Sequence, residues 1–115
     1  MTVYAVGALG TSFFKVGYAK NVDLRIRDLQ VGCPHELLLL GSIEGGEQVE
    51  LDVHKLVLPL RIRGEWFDWK RFKLLPAMQA FKFIQIFADG MNCENLVLFI
   101  APGSALQLGV SRLEV

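Results

Sequence analysis

Apolar and polar positions at the start of the chain alternate in two short bursts. Residues 2–8 and 13–19 are rich in Val, Phe and Tyr, and Leu9-Gly10-Thr11-Ser12 lies between them. Two such runs around a short polar link predict a β-hairpin. The pattern then changes period. Asn21 is a good N-cap, Asp23 sits in a first turn, and Gly32 suits the position just past a helix end, which brackets a helix from Val22 to Val31. Val22, Ile26 and Leu29 share one face of that helix. Arg25 flanks this apolar stripe, whereas Arg27 points away from it.

Pro34 blocks continuation of the helix, and Leu37 to Ile43 reads as a buried strand. Gly45-Gly46 breaks that run and precedes a second helix, Glu47 to Leu58, ended by Pro59. Glu50 and His54 are four apart and lie one turn above each other, with Leu51 and Leu58 nearby. Val49, Val53 and Leu56 cluster on the opposite side, so this helix is expected to be well buried. A buried Glu needs a partner or a metal, because an unpaired carboxylate in an apolar setting is costly and tends to protonate.

Arg61 to Trp69 reads as a turn followed by an aromatic anchor at Trp66-Phe67. Helical pattern resumes from Lys70 to about Ala88, with Pro76 as a kink or break. From Asp89 to Val115 an apolar run, a Pro102-Gly103 turn and a weaker second run give a terminal hairpin as the simplest reading. No internal repeat and no low-complexity segment is present. At 115 residues the length fits one domain. The organisation expected is a main domain over 1–82 and an extension over 83–115 packed on it.

Composition changes this picture little. A hydrophobic content of 52% argues for a folded chain and against disorder. The formal net charge is zero, but its distribution is uneven. Residues 53–82 carry seven lysines and arginines against Glu65 and Asp68, and residues 44–52 carry four acidic residues and no basic one. An acidic cluster beside a basic stretch can hold a cation near a phosphate-binding surface, and it can equally be a solvated helix face. Cys33 and Cys93 form no CxxC pair and read as buried free thiols of a reducing cytosol. The spacing of Cys33, His35, His54 and Cys93 does not support a zinc site. Met1-Thr2-Val3-Tyr4 shows no signal-peptide pattern, and Asp89, Asn92, Glu94 and Asn95 interrupt the most apolar stretch. A cytoplasmic protein with no membrane partner is the expectation.

Several polar residues stand in otherwise apolar settings: Tyr4 in Val3-Tyr4-Ala5-Val6, Lys15 in Phe14-Lys15-Val16-Gly17-Tyr18, then Arg25, Glu50, His54 and Gly64-Glu65-Trp66-Phe67. In this order they resemble the GIY-YIG endonuclease superfamily, in its phage- and bacterial-type branch with a Lys-Val/Ile-Gly second motif. The resemblance covers about Val3 to Phe67. Val3 to Val6 stands where the family has its GIY strand, and Lys15 to Tyr18 where it has YIG. Arg25 with Leu29-Gln30 is similar to its Arg-Leu-x-x-Leu-Gln helix. Glu50 to His54 and Gly64 to Phe67 are similar to its Glu-x-x-x-His and Gly-Glu-Trp-Phe signatures. Most superfamily members have Tyr where this chain has Lys15, while Lys is usual in the branch it resembles.

The resemblance implies an α+β fold, a small three-stranded antiparallel sheet flanked by helices. It also implies metal-dependent hydrolysis of DNA phosphodiester bonds. Glu50 would ligate one Mg²⁺ or Mn²⁺, and Arg25 would hold a non-bridging phosphate oxygen. Tyr4 or Lys15 would serve as general base, with nearby cations helping a phenol whose reference pKa is about 10. His54 would hydrogen-bond Tyr4 or Glu50, or share proton transfer. Glu65 would fix the turn at Trp66 rather than act in chemistry. Lys20, Lys55, Arg61 and Arg63 would contact DNA phosphates. The tail after about Lys82 lies outside the resemblance and reads as a dimerisation or targeting element or as a poorly constrained extension.

Taken singly, each residue has a simpler role. Tyr4 alone is a half-buried sheet tyrosine, Lys15 a solvent-facing strand residue, Arg25 a partner for Asp28, and Glu50 with His54 a helical hydrogen-bonded pair. Two other functions fit the same sequence. One is a nucleic-acid-binding module without catalysis, using the basic stretch from Lys55 to Lys82. The other is an interaction domain using the apolar region from Phe81 to Ile100. No zinc finger or helix-turn-helix is recognisable, so the sequence leaves DNA specificity open.

Overall fold

The computed structural model describes residues 1–100. The first two apolar runs form β1 (Thr2–Ala8) and β2 (Phe13–Ala19), an antiparallel hairpin in which Tyr4 faces Gly17 and Val6 faces Lys15. Gly10, at φ +88°, supplies the left-handed residue that the connecting turn needs. Helix α1 (Val22–Val31) begins where expected, with the Asn21 side chain accepting from the Leu24 backbone N–H at 3.1 Å. The Gln30 side chain then ties down the following loop. Its amide donates to the His35 carbonyl, and its oxygen accepts from the Leu37 N–H, both at 2.8 Å. This fixes the start of β3 (Leu37–Glu44), which pairs with the far side of β1.

Helix α2 (Glu47–Leu56) stops two residues before the expected Leu58, and Leu58–Leu60 tightens into a 3-10 turn. Pro59 has no N–H to give the Lys55 carbonyl, so the α-helical ladder cannot run through it. Only Glu50 and Val53 of α2 are buried, and Leu51 is exposed, so the helix is apolar toward the sheet on one face rather than two.

The expected three-stranded sheet is present as β3-β1-β2, and two short strands extend it. Residues read as a turn before an aromatic anchor form a hairpin of β4 (Arg61–Arg63) and β5 (Trp66–Asp68) about Gly64, whose φ is +55°. Trp66, Phe67 and Asp68 pair with Lys15, Phe14 and Phe13, giving the antiparallel order β3-β1-β2-β5-β4. Strands this short are missed because their alternation covers too few residues to register as a period.

Beyond the sheet, a 3-10 segment (Trp69–Leu74) precedes α3 (Ala77–Ile86), so Pro76 separates two helical pieces. Residues 93–100 form α4 (Cys93–Ile100), not a strand, which corrects the first half of the expected terminal hairpin. Its Pro102-Gly103 turn and second run lie outside the described residues. Asn92 N–H donates to the Leu40 carbonyl at 2.8 Å, and the Asn95 amide to that of Leu39 at 2.9 Å, pinning α4 to the β3 edge. Of the thiols expected to be buried, Cys33 is partly buried and Cys93 is exposed.

The sheet separates two apolar layers. On one face Val3, Ala5, Phe14, Val16, Val53 and Phe67 join Phe87 and Phe99 in the main core. On the other, Tyr4, Val6, Ala8 and Leu37 pack against Val22, Ile26 and Leu29 of α1. Phe81 and Val97, by contrast, lie on the outside. No helix among the described residues is long and apolar enough to cross a membrane.

Candidate active site

Period-two alternation decides which side chains of the hairpin reach which layer. Tyr4 lies on the α1 side and is 1% exposed. Its partner Gly17 gives it room, for a Cβ there would stand 2.6 Å from the Tyr4 hydroxyl. The Arg25 guanidinium, from the flank of the α1 stripe, stands close enough to that hydroxyl to favour its ionised form. Burial pushes the Tyr4 phenol above its ordinary pKa; Arg25 opposes this, while Glu65 and Glu50 add to it. Without a metal, Arg25 favours phenolate but burial outweighs it.

Lys15 is a buried cation, 6% exposed, and not the solvent-facing lysine of the simpler reading. Its ammonium donates to the Glu65 carboxylate. Glu65, expected only to fix the turn, sends its carboxylate back toward the sheet and into the cluster. Burial would raise its pKa, but the Lys15 pair, with His54 and Glu50, holds it below the usual carboxylate range.

The hairpin also explains where the site opens. Backbone groups on β2 alternate in direction, and both polar groups of Val16 point toward β5. Its N–H donates to the Glu65 carbonyl at 3.3 Å, at the last step before β5 ends. Its carbonyl is met instead by His54 Nε2 at 2.9 Å. A carbonyl only accepts, so Nε2 carries a proton, and in the neutral ring Nδ1 holds the lone pair. An edge-on contact with Phe67, ring centroids 5.1 Å apart, also holds the imidazole.

One turn before His54, Glu50 is 7% exposed. Burial raises its pKa, and the neighbouring Glu65 carboxylate raises it further, against the opposing pull of His54 and Lys15. One donor atom each from Glu50, His54 and Glu65 lies within 4.8 Å of the others. Around a small divalent ion at about 2.1 Å, ligand atoms stand roughly 3–4 Å apart, so modest side-chain rotation suffices to close this group on a metal. The donor set fits a divalent cation, with Glu50 the most enclosed ligand.

Lys15, Glu50 and His54 thus gather around Glu65, and Tyr4 with Arg25 lies close enough to feel the two carboxylates. The candidate phosphate contacts Lys20, Lys55, Arg61 and Arg63 are exposed. Arg61 is committed in part to its own hairpin, its Nε donating to the Gly64 carbonyl at 2.8 Å.

A family model, the T5orf172 domain, matches residues 1–86, which include every element that builds this site. The chain belongs to the T5orf172 domain family. This is a phage-associated domain in the neighbourhood of the GIY-YIG and HNH-like endonucleases. No curated protein and no solved structure matches the chain. T5orf172 membership spans both the hairpin with Tyr4 and Lys15 and the short strands after Glu65, so the whole cluster belongs to the matched domain.

Proposed function

We propose that this T5orf172 domain is a GIY-YIG-type, divalent-metal-dependent DNA endonuclease, with residues 1–82 carrying the chemistry. The observation that carries the reading is the Glu50–His54–Glu65 group beside a Lys15 ion pair and the Tyr4–Arg25 pair. Phosphodiester hydrolysis needs a cation for the phosphate, an oriented water and stabilisation of added negative charge. These side chains supply such groups around the β1–β2 hairpin.

A divalent cation held by Glu50 would polarise the scissile phosphate and stabilise the leaving 3′-oxygen. Arg25 grips a non-bridging oxygen and neutralises charge that grows in the transition state. Tyr4 orients the attacking water. It accepts the water's proton once ionised, which Arg25 favours and burial opposes. Lys15, held by Glu65, fixes the water or the phosphate from the other side. Lys20, Lys55, Arg61 and Arg63 then bind flanking phosphates, which sets affinity without sequence preference.

Plasmid nicking by the purified chain in Mg²⁺, Mn²⁺ and EDTA, beside Glu50→Gln, tests this. Metal-dependent nicking by wild type and none by the variant supports the reading. A folded protein that nicks in no metal, yet binds DNA with steep salt dependence, is a binding module instead.

A further inference from the structure

The reading above gives the cation one protein ligand. The geometry supplies three. Glu50, His54 and Glu65 each present a donor atom within 4.8 Å of the other two, and they come from a helix and a hairpin tip distant in sequence.

Two further observations bear on what this group holds. Buried Glu50 has another carboxylate, Glu65, with an oxygen within 4.8 Å. Lys15 neutralises Glu65 alone, so the enclosed Glu50 carboxylate beside it has no cation of its own among the described residues, and a divalent ion between the two would serve both. The second observation concerns His54. Its Nε2–H is spent on the Val16 carbonyl at 2.9 Å, which in the neutral ring leaves Nδ1 with its lone pair. A metal-binding histidine is typically held in this way, with its other ring N–H on a backbone carbonyl or carboxylate fixing tautomer and orientation.

We infer that Glu50, Glu65 and His54 through Nδ1 form one three-ligand divalent metal site of mixed oxygen and nitrogen character. This rests on Glu50 being a metal ligand, not on DNA cleavage. Mg²⁺ and Ca²⁺ prefer oxygen donors, whereas imidazole suits first-row transition ions. The site therefore selects Mn²⁺ and later first-row divalent ions over Mg²⁺. It also sets Lys15 against the metal: the Lys15 ammonium occupies Glu65, and a cation taking that carboxylate must share it or displace the lysine.

The test is equilibrium binding of Mn²⁺ to the full chain without DNA, read from the electron paramagnetic resonance of the free aqua ion, with Mg²⁺ as competitor. Glu50→Gln abolishes binding. Glu65→Gln and His54→Gln each weaken it by at least the roughly tenfold that even an outer partner of a metal ligand is worth. Lys15→Met tightens it, an effect that a merely structural lysine would not give. Circular dichroism confirms that each variant is folded. Should His54→Gln not fold, pulsed resonance of Mn²⁺ on the wild-type protein decides, since a bound imidazole imprints nitrogen modulation on the echo.

Absence of that modulation, or Mn²⁺ affinity equal to that for Mg²⁺ and unmoved by Glu65→Gln, overturns the three-ligand site and leaves Glu50 alone. Mn²⁺ binding as described by a protein that nicks no DNA keeps the site and removes the nuclease reading.

Discussion

The Tyr4 hydroxyl occupies the space that a side chain on Gly17 would fill, 2.6 Å from where a Cβ would stand. The two residues face each other across the β1–β2 pair, so the register of the first hairpin sets where the phenol sits. Gly17→Ala must push Tyr4 out of a fully packed position. Overpacking of this kind costs about 1–3 kcal/mol. Urea unfolding should show that loss, and nicking should fall toward the rate of Tyr4→Phe. A Gly17→Ala protein with wild-type cleavage would remove Tyr4 from the chemistry.

Arg25 is exposed and bears on the site through its nearness to the Tyr4 hydroxyl, so its removal should separate activity from stability. Arg25→Ala is expected to lower the cleavage rate on the order of a hundredfold or more, while thermal unfolding shifts little. The phenol also loses its opposing cation, so the remaining activity should need higher pH. An unchanged pH profile would place Arg25 on the phosphate alone.

Glu50 and Glu65 give the stability a pH signature in metal-free buffer. The folded-state pKa of Glu50 is raised, so its contribution is present below the unfolded carboxyl value of about 4.3 and is lost as pH rises through the folded value. That of Glu65 is lowered, so its contribution is present above the unfolded value and is lost as pH falls through the folded one. Glu50→Gln deletes the first component and leaves Lys15, the main partner of Glu65, to hold the second. Urea unfolding in EDTA should therefore show the variant losing less stability than wild type as pH is raised from about 4.3 toward neutrality. A variant that loses more would mean the two carboxyls do not oppose each other.

Lys55 and Arg63 are exposed on α2 and β4. If both contact phosphates, neutralising each should weaken DNA binding evenly across sequences. The slope of log affinity against log salt should drop by about 0.9 per residue for duplex DNA. Titrations at several salt concentrations read this directly, and an unchanged slope assigns the residue to ordinary surface.

Much of the frame was legible because it depends on local signals. The first hairpin needed only its alternation, and α1 needed only Asn21 and an apolar stripe. The same stripe placed Arg25 on its flank, from which it reaches Tyr4. Glu65 was not legible. Its carboxylate meets Lys15 only because β5 pairs with β2 fifty residues back in the chain, through strands of three residues. Nothing periodic announces so short a strand, and without it Glu65 looks like an ordinary turn residue. The burial of Lys15 was hidden for the same reason, since its neighbours on that side are Trp66 and Glu65. For α4, apolar content alone did not separate a strand from a helix, and the anchoring by Asn92 and Asn95 to β3 is a tertiary matter.

The early end of β5 also bears on how these chains behave toward one another. Past Val16, β2 has no strand on its outer side among the described residues, and a bare strand edge is a template for pairing with another molecule. His54 stands at the first uncovered carbonyl and blocks it with a side chain that cannot continue a ladder. The imidazole thereby stands in for the next residue of a neighbouring strand and keeps that carbonyl paired where the ladder stops.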